Sequence, residues 1–284
     1  MKTLKIWFEN FWGLFDKRDN FFTYVLSHKY KLILTNENPD IVIHGGPTDK
    51  YPNSLQIYYS GEPYFTEEGS EYQLTSFYSD KKNHFRIPLF LLYNYDYYKH
   101  KIIPSLDYIL NRSPSCYKEK FCTFLAQGGG NNPRKVFFDK LNKLERVDAC
   151  GSYLNNSPIV GGEPGTTIGS INKINHLKNY CFTMAFENSE FFSRDSKKFI
   201  GYTTEKIFEP FIAGSVPIYW GNPLIELDFN VNSFIKVQDF KSLDETVDKV
   251  LEIYRSKRLY EEYISSSCVT NPYLFDINYA ISIF

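Results

Sequence analysis

The sequence has no long hydrophobic run and no excess of charge of either sign. Its apolar stretches are short, and the one at residues 87–93 is interrupted by Pro88, so none approaches the ~20 residues that a membrane-spanning helix needs. With 32 basic and 33 acidic residues, the formal net charge is -1, which does not give the broad positive field of a nucleic-acid-binding protein. We therefore expect no membrane-spanning helix and no nucleic-acid partner.

The N-terminal region lacks the pattern of a secretory signal peptide. Lys2 and Lys5 lie beside an apolar stretch, but Glu9 and Asp16 interrupt it, whereas a signal peptide needs an unbroken apolar segment. We expect a cytoplasmic protein, or one that makes peripheral contact with the inner face of a membrane.

Cysteine is scarce, and its spacing does not indicate a disulfide framework. The number of cysteines, five, is odd, and no CxxC pair occurs; the five histidines do not cluster in the sequence. This argues against structural disulfides and against a zinc site. The cysteines are Cys116, Cys122, Cys150, Cys181 and Cys268. We expect reduced thiols and no metal ligand set.

Aromatic residues, in contrast, are abundant. They make up 18% of the chain, with 23 Tyr and 25 Phe. Most are expected to fill an apolar core, and some to line a cleft in which flat rings cover the apolar faces of sugars. Composition alone does not separate these two roles.

Short apolar strands alternate with helix-length segments along much of the chain. Strands are predicted at residues 4–8, 31–35, 40–44, 55–59, 121–126, 146–150, 180–186 and 216–220. Helices are predicted at residues 19–28, 134–144, 204–213 and 242–256. This alternation predicts an α/β fold with parallel sheets.

The α/β pattern falls into two halves, which predicts two Rossmann-like domains facing an interdomain cleft. Residues 1–115 are expected to form the first domain and residues 116–284 the second, with the last ~20 residues of the chain packing back on the first. Because ligands bind outside the carboxyl ends of strands in open parallel sheets, we expect the ligand site at this cleft.

The segment at residues 186–223 gives the strongest indication of a ligand-binding site. Thr203 is predicted to cap a helix, which places Glu205 in the first turn. Lys206 has the wrong charge for a helix start unless an anion binds to the free N–H groups there. The alternative is an ordinary amphipathic helix with solvated Glu205 and Lys206, and this motif alone does not decide between them. Pro210 is expected to kink or break the helix, because an interior proline costs ~3 kcal/mol.

Several stretches together resemble the α-1,3/4-fucosyltransferase family. The donor-binding signature of that family is similar to Asn188 followed by YTTEKI at residues 202–207 and AGSVPIYWG at residues 213–221. Three further stretches match in order and spacing, namely SGE at 60–62, RIPLFLLY at 86–93, and the segment from NPR at 132–134 to RVD at 146–148. The resemblance implies a GT-B type fold, in which two Rossmann-like domains face one another. It also implies that residues 1–115 bind the acceptor and residues 116–284 bind GDP-fucose.

The resemblance also implies a reaction. The family transfers L-fucose from GDP-fucose, with inversion, to a hydroxyl of an N-acetylglucosamine-containing glycan, in α-1,3 or α-1,4 linkage. By this resemblance Glu62 would be the general base that deprotonates the acceptor hydroxyl. The products would be glycans of the Lewis antigen type, carried by protein or lipid.

Five residues would hold the donor by the same resemblance. Arg134 and Lys206 would hold the diphosphate, and Asn188, Tyr202 and Glu205 would hold its ribose, phosphate or fucose. Fixed positive charge at the leaving diphosphate is what such a transfer needs. No DxD motif occurs in the sequence, so no cofactor is expected beyond the donor substrate.

Two features depart from the family pattern. Pro63 follows Glu62 where the family usually has Asn, and the loop at residues 189–201 is longer than in bacterial relatives. Glu187 is expected to contact the donor-binding residues and not the donor itself.

Two other functions remain open at the level of sequence. One is a GT-B transferase that uses a different nucleotide sugar. The other is a non-catalytic glycan-binding protein, although a pure binder needs neither a general base nor a phosphate clamp.

Overall fold

The computed structural model describes residues 1–63, 70–111, 117–129, 133–163, 166–194 and 197–284. Within them the first half of the chain forms a six-stranded sheet whose strands are all parallel, in the order β2-β1-β3-β4-β5-β6. Its strands are β1 (Lys2–Glu9), β2 (Tyr30–Leu34), β3 (Ile41–His44), β4 (Leu55–Ser60), β5 (Tyr72–Thr75) and β6 (His84–Arg86). The boundary expected after residue 115 lies outside the described residues.

The second half forms a five-stranded parallel sheet and one hairpin. The sheet contains β7 (Lys120–Phe124), β8 (Val147–Ala149), β9 (Tyr180–Phe186), β12 (Val216–Trp220) and β13 (Ile235–Lys236). Its order is β13-β12-β9-β7-β8. The hairpin pairs β10 (Phe191–Arg194) with β11 (Lys197–Ile200) in antiparallel fashion. Every residue of the central strand β9 is buried, as expected for a parallel strand that is covered on both faces.

Helices lie between these strands and after the last of them. They are α1 (Phe21–Ser27), α2 (Leu89–Lys99), α3 (Arg134–Leu144), α4 (Thr167–Leu177), α5 (Glu205–Ala213), α6 (Leu243–Arg255), α7 (Lys257–Ser265) and α8 (Ile277–Ile283). All eight predicted strands and all four predicted helices are confirmed, with small shifts at their ends. The sequence did not predict β5, β6, the hairpin, β13, α2, α4, α7 or α8.

The start and course of α5 differ from the sequence prediction. The capping residue is Thr204 and not Thr203, because the Thr204 hydroxyl accepts the Lys206 N–H at 3.3 Å, whereas the Thr203 hydroxyl donates to the Gly201 carbonyl. The helix runs through Pro210 without a break. It ends at Gly214, whose φ of 67° is the left-handed conformation that glycine adopts most easily.

One apolar core crosses from the first half of the chain to the second. The ring of Phe90 on α2 packs against Phe208 of α5, with ring centroids 6.1 Å apart, and against Phe229 at 5.2 Å and Phe275 at 5.8 Å. All four rings are buried. The two sheets are therefore joined by shared core packing and not only by a linker.

The chain end contacts the first half. The ring of Phe284 packs edge-on against Phe22 of α1, with centroids 6.4 Å apart, and the Lys29 ammonium donates to the carbonyl of Ile281 in α8 at 3.3 Å. Through these contacts α8 and the chain end pack against α1.

An ion pair reinforces the junction between the halves. Arg86 at the end of β6 donates two hydrogen bonds to Asp228, at 2.7 Å and 2.6 Å. It also donates to the carbonyls of Ser76 and Gly201, at 2.9 Å and 3.0 Å. The guanidinium lies over the ring of Tyr78, 4.1 Å from its centroid. Bidentate pairing of this kind fixes geometry as well as charge.

Candidate donor and acceptor site

A cavity of about 450 Å³ opens at the carboxyl ends of the second sheet. Four of the five predicted donor residues line it: Arg134, Asn188, Glu205 and Lys206. Most of its other walls come from the loops after β7 and β8 and from α4, and Tyr93 of α2 is the contribution of the first half. Its position and size are those of a small-molecule site in an open α/β sheet.

Arg134 is fixed at the start of α3 with its guanidinium turned toward the cavity. It donates to the carbonyl of Gly128 at 2.8 Å and to that of Phe186 at 2.6 Å. A third hydrogen bond, of 2.9 Å, goes to the side-chain oxygen of Asn188. Burial lowers the pKa of Arg134, and the charge of Glu187 opposes this. The side chain is only 4% exposed, so its position is set before any ligand binds.

The N-terminus of α5 is held by Glu187 at the end of β9. This carboxylate is fully buried and accepts the Thr204 backbone N–H and the Thr204 hydroxyl, each at 2.8 Å. The Lys206 ammonium lies 3.5 Å from it. Burial raises the pKa of Glu187, while Lys206 opposes the shift. Glu187 therefore fixes where the helix begins and where Lys206 points.

Glu205 and Lys206 form an ion pair at the first turn of α5. Their charged atoms are 3.5 Å apart. Burial favours the neutral form of Glu205, but Lys206 and Lys173 outweigh it and lower its pKa to about 2. Burial likewise disfavours the charge of Lys206, yet Glu205 and Glu187 raise its pKa to about 12. Both groups are therefore charged at neutral pH.

Glu62 and Tyr202 form a contact beside this cavity, where the two halves of the chain meet. Glu62 follows β4, and its Oε2 atom lies 3.4 Å from the hydroxyl of Tyr202. Tyr202 is 1% exposed and its pKa is strongly raised by burial and by the charge of Glu187, so it stays a protonated donor. Glu62 is exposed, but the protein around it removes part of its hydration and raises its pKa. Lys206 lowers the pKa of Glu62 and Glu205 raises it.

Sequence reasoning missed three polar residues that surround this site. Lys173 of α4 and Glu209 of α5 line the cavity and pair with each other. The hydroxyl of Tyr97, on α2, donates to Glu209 at 2.6 Å. A signal for Glu209 does exist in the sequence, because it is a single carboxylate within the apolar stretch of α5.

The described part of the chain has neither a set of side chains that could hold a metal ion nor a helix that could span a membrane. No group of three or more His, Cys, Asp or Glu side chains converges in a way that could hold a metal ion. Cys122, Cys150, Cys181 and Cys268 are buried free thiols, while Cys116 lies outside the described residues. None of the described helices has the length and apolar character needed to cross a membrane.

Two family models match the chain. The model for the C-terminal part of glycosyltransferase family 10 (fucosyltransferase) matches residues 116–267, and that for the N-terminal domain of alpha-(1,3)-fucosyltransferase FucT matches residues 6–93. Among curated relatives, the alpha-(1,3)-fucosyltransferase FucT of Helicobacter pylori is 28% identical over 90% of this chain. The mouse 4-galactosyl-N-acetylglucosaminide 3-alpha-L-fucosyltransferase 9 is 28% identical over 52%. The chain spans 58% and 37% of these two relatives.

Solved structures agree with the family models. A crystal structure of an alpha1,3-fucosyltransferase is 26% identical, covers 94% of this chain and 82% of its own, and superposes with a TM-score of 0.73. A crystal structure of an alpha1,3-fucosyltransferase with GDP-fucose has the same fold, with a TM-score of 0.77 at 24% identity, over 100% of this chain and 89% of its own. The GT-B type fold expected from the sequence is thus confirmed. The chain belongs to glycosyltransferase family 10, the fucosyltransferases.

Proposed function

We propose that this protein transfers L-fucose from GDP-fucose to a hydroxyl of an N-acetylglucosamine-containing glycan. The observation that carries the proposal is the convergence of Arg134, Lys206 and Glu205 in one cavity, with Glu62 beside it from the other half. A cavity with two fixed cations and a neighbouring carboxylate suits a diphosphate donor and a hydroxyl acceptor. Family membership supports the same reaction.

Arg134 and Lys206 would bind the diphosphate of the donor. Negative charge grows on the leaving phosphate in the transition state, and cations that are already in position stabilise that charge without reorganisation. The N-terminus of α5 adds free backbone N–H groups and the positive end of the helix dipole. Asn188, Tyr202 and Glu205 would contact the ribose, phosphate or fucose.

Glu62 would act as the general base. The acceptor oxygen attacks the anomeric carbon of fucose, the bond from that carbon to the phosphate oxygen breaks, and GDP leaves with the electron pair. The proton of the acceptor hydroxyl goes to Glu62. Attack opposite to the leaving group inverts the anomeric configuration. A carboxylate whose pKa is raised by partial desolvation holds the transferred proton more firmly than an ordinary one.

The acceptor is proposed from the relatives. The name of the mouse relative specifies a 4-galactosyl-N-acetylglucosaminide acceptor and a bond to position 3, and that of the bacterial relative specifies an α-(1,3) linkage. N-acetyllactosamine is therefore the first acceptor to test, with an α-1,3-linked product expected.

The test is an incubation of the protein with GDP-fucose and N-acetyllactosamine, with the product analysed by mass spectrometry and NMR. Glu62→Gln is expected to lower kcat by ~10²–10⁴, the usual contribution of a general base, and Lys206→Ala by ~10²–10³. Glu37→Gln changes an exposed carboxylate of the same half and is the matched control.

Three results would contradict the proposal. Absence of both turnover and GDP-fucose binding would exclude the reaction itself. Tighter competition by UDP or CMP than by GDP would point to another nucleotide sugar. Full activity in Glu62→Gln or Lys206→Ala would refute the assignment of the site even if fucose is transferred.

A further inference from the structure

A row of alternating charges runs from the donor cavity to the first half of the chain. It consists of Glu187, Lys206, Glu205, Lys173 and Glu209, and it ends at the hydroxyl of Tyr97. Lys206 lies 3.5 Å from both Glu187 and Glu205. Lys173 lies 3.9 Å from Glu205 and is in direct contact with Glu209. The first three members belong to the site proposed above, whereas the last three have no role there.

Lys173 is the member that links the two parts of the row. It projects from the second turn of α4, lines the donor cavity, and is 26% exposed. Its ammonium faces two carboxylates of α5 that lie one helical turn apart, Glu205 and Glu209. Among the described residues, Lys173 and Lys206 are the two cations within 4 Å of the Glu205 carboxylate.

Glu209 is costly to bury, so its presence needs a physical reason. Its side chain is 2% exposed, and moving a carboxylate out of water costs several kcal/mol unless it is paired. An apolar residue of similar size would fill this helix face at a lower cost, since buried ion pairs often stabilise no better than apolar replacements. What the carboxylate adds is orientation, because Lys173 and the Tyr97 hydroxyl both bind it.

We propose that Lys173 is a positioning residue of the donor site, which holds the Glu205 carboxylate toward the hydroxyls of the donor and is itself held by Glu209 and Tyr97. The proposal rests on the proposed function, because it assigns Glu205 a donor contact. By this proposal α2, a helix of the first half, helps to hold the donor site in place through Tyr97. Tyr93 on the same helix lines the cavity one turn away from Tyr97, and their rings are 5.8 Å apart.

The charge of Glu205 is set by several elements that pack around it. The groups that act on it, or on which it acts, are Lys206 and Glu209 of α5, Lys173 of α4, Tyr93 and Tyr97 of α2, Arg134 of α3, Glu187 after β9, and Tyr202 and Glu62 at the junction of the halves. Of the cations, Lys206 and Lys173 lower its pKa most. Without Lys173, the Glu205 carboxylate loses a contact that holds it in place and one of the two cations that lower its pKa.

The test uses a neutral replacement of the pair. Lys173→Met alone leaves Glu209 buried without its counter-charge and can fail to fold, so the double variant Lys173→Met/Glu209→Gln is made as well. It keeps both side-chain volumes, and thermal unfolding checks that it is folded. Binding of GDP-fucose without acceptor is measured by calorimetry near neutral pH, where Glu205 is charged. Lys178→Met, an exposed lysine at the end of the same helix, is the control.

We expect the folded double variant to bind GDP-fucose about tenfold more weakly, the ratio that corresponds to ~1.4 kcal/mol. In a Glu205→Gln background the same double change is expected to have almost no further effect, since nothing is left to position.

Two outcomes overturn the positioning role. One is unchanged GDP-fucose affinity in the folded double variant. The other is an equal loss of GDP-fucose affinity in the wild-type and Glu205→Gln backgrounds, which would mean that the pair acts on folding or elsewhere in the cavity. Failure of the wild type to bind GDP-fucose is a different result, because it would refute the proposed function and not this inference alone.

Discussion

The pair between Arg86 and Asp228 gives the most direct test of how the two halves are joined. Arg86→Met removes the charge and keeps most of the aliphatic stem. The Asp228 side chain is 1% exposed, so it would be left buried without the arginine. Loss of one partner of a buried pair costs ~3–5 kcal/mol, which corresponds to a fall in Tm of roughly 6–20 °C for a protein of this order of size.

The measurement is urea and thermal unfolding followed by circular dichroism and calorimetry. In Arg86→Met/Asp228→Asn neither member of the pair carries a charge. The Ser76 and Gly201 carbonyls each lose the bond from Arg86, although Gly201 still accepts from the Thr203 hydroxyl. We expect this double variant to recover about half of the loss or more, because an unsatisfied neutral acceptor costs ~1–3 kcal/mol.

A matched control is available on the surface. Arg258 pairs with Glu262 one helical turn away in α7, and both side chains are more than half exposed. Arg258→Met is expected to cost less than ~0.5 kcal/mol, as exposed helical pairs do. The reasoning is refuted if Arg86→Met costs no more than this control, or if it is no less stable than the double variant.

Three further predictions concern the site. Gly221→Ala is expected to destabilise the protein, because a Cβ there would lie 2.5 Å from Cγ of the buried Glu187; thermal unfolding measures this, and an unchanged Tm contradicts it. The acid limb of kcat/KM is expected above the ordinary glutamate value of 4.5, because the pKa of Glu62 is raised; activity then increases with pH through that limb, and a limb below 4.5 would argue against Glu62. The pKa of Glu205 is lowered to about 2, so its charge stabilises the fold above pH 4.5 and this contribution is lost between 4.5 and about 2. The unfolding free energies of wild type and Glu205→Gln should therefore converge on acidification, and a constant difference would contradict this.

Much of the fold was predictable because buried parallel strands are short apolar runs bounded by turns. The helix α3 was predicted with its observed ends, since Pro133 precedes it and Phe137 and Leu141 repeat at helical spacing. The helix α4 was missed because its sequence, TIGSINKINHL, contains glycine, serine, asparagine and β-branched residues that favour helix weakly. The helix α2 was missed because its sequence, LFLLYNYDYYK, does not separate into an apolar and a polar face at helical spacing.

The site was less predictable from local patterns than from resemblance. Lys206 beside Glu205 indicated an anion site, yet the motif alone did not exclude a solvated helix. Lys173 and Tyr97 gave no local signal, because their partner Glu209 lies far away in sequence and only the packing of α2, α4 and α5 brings them together. The choice of Thr203 as the cap failed because two adjacent threonines carry the same local signal, and tertiary hydrogen bonds decide between them.

The apolar core that passes from α2 to α5, together with α8 lying on α1, has a consequence for protein engineering. A fragment containing only the first sheet would expose the rings around Phe90 and the face of α1 that Phe284 covers. The two halves are therefore not interchangeable modules, although each contains a parallel sheet of its own. A chimera that replaces the first sheet would have to exchange with it the facing surface on α5 and the terminal helix.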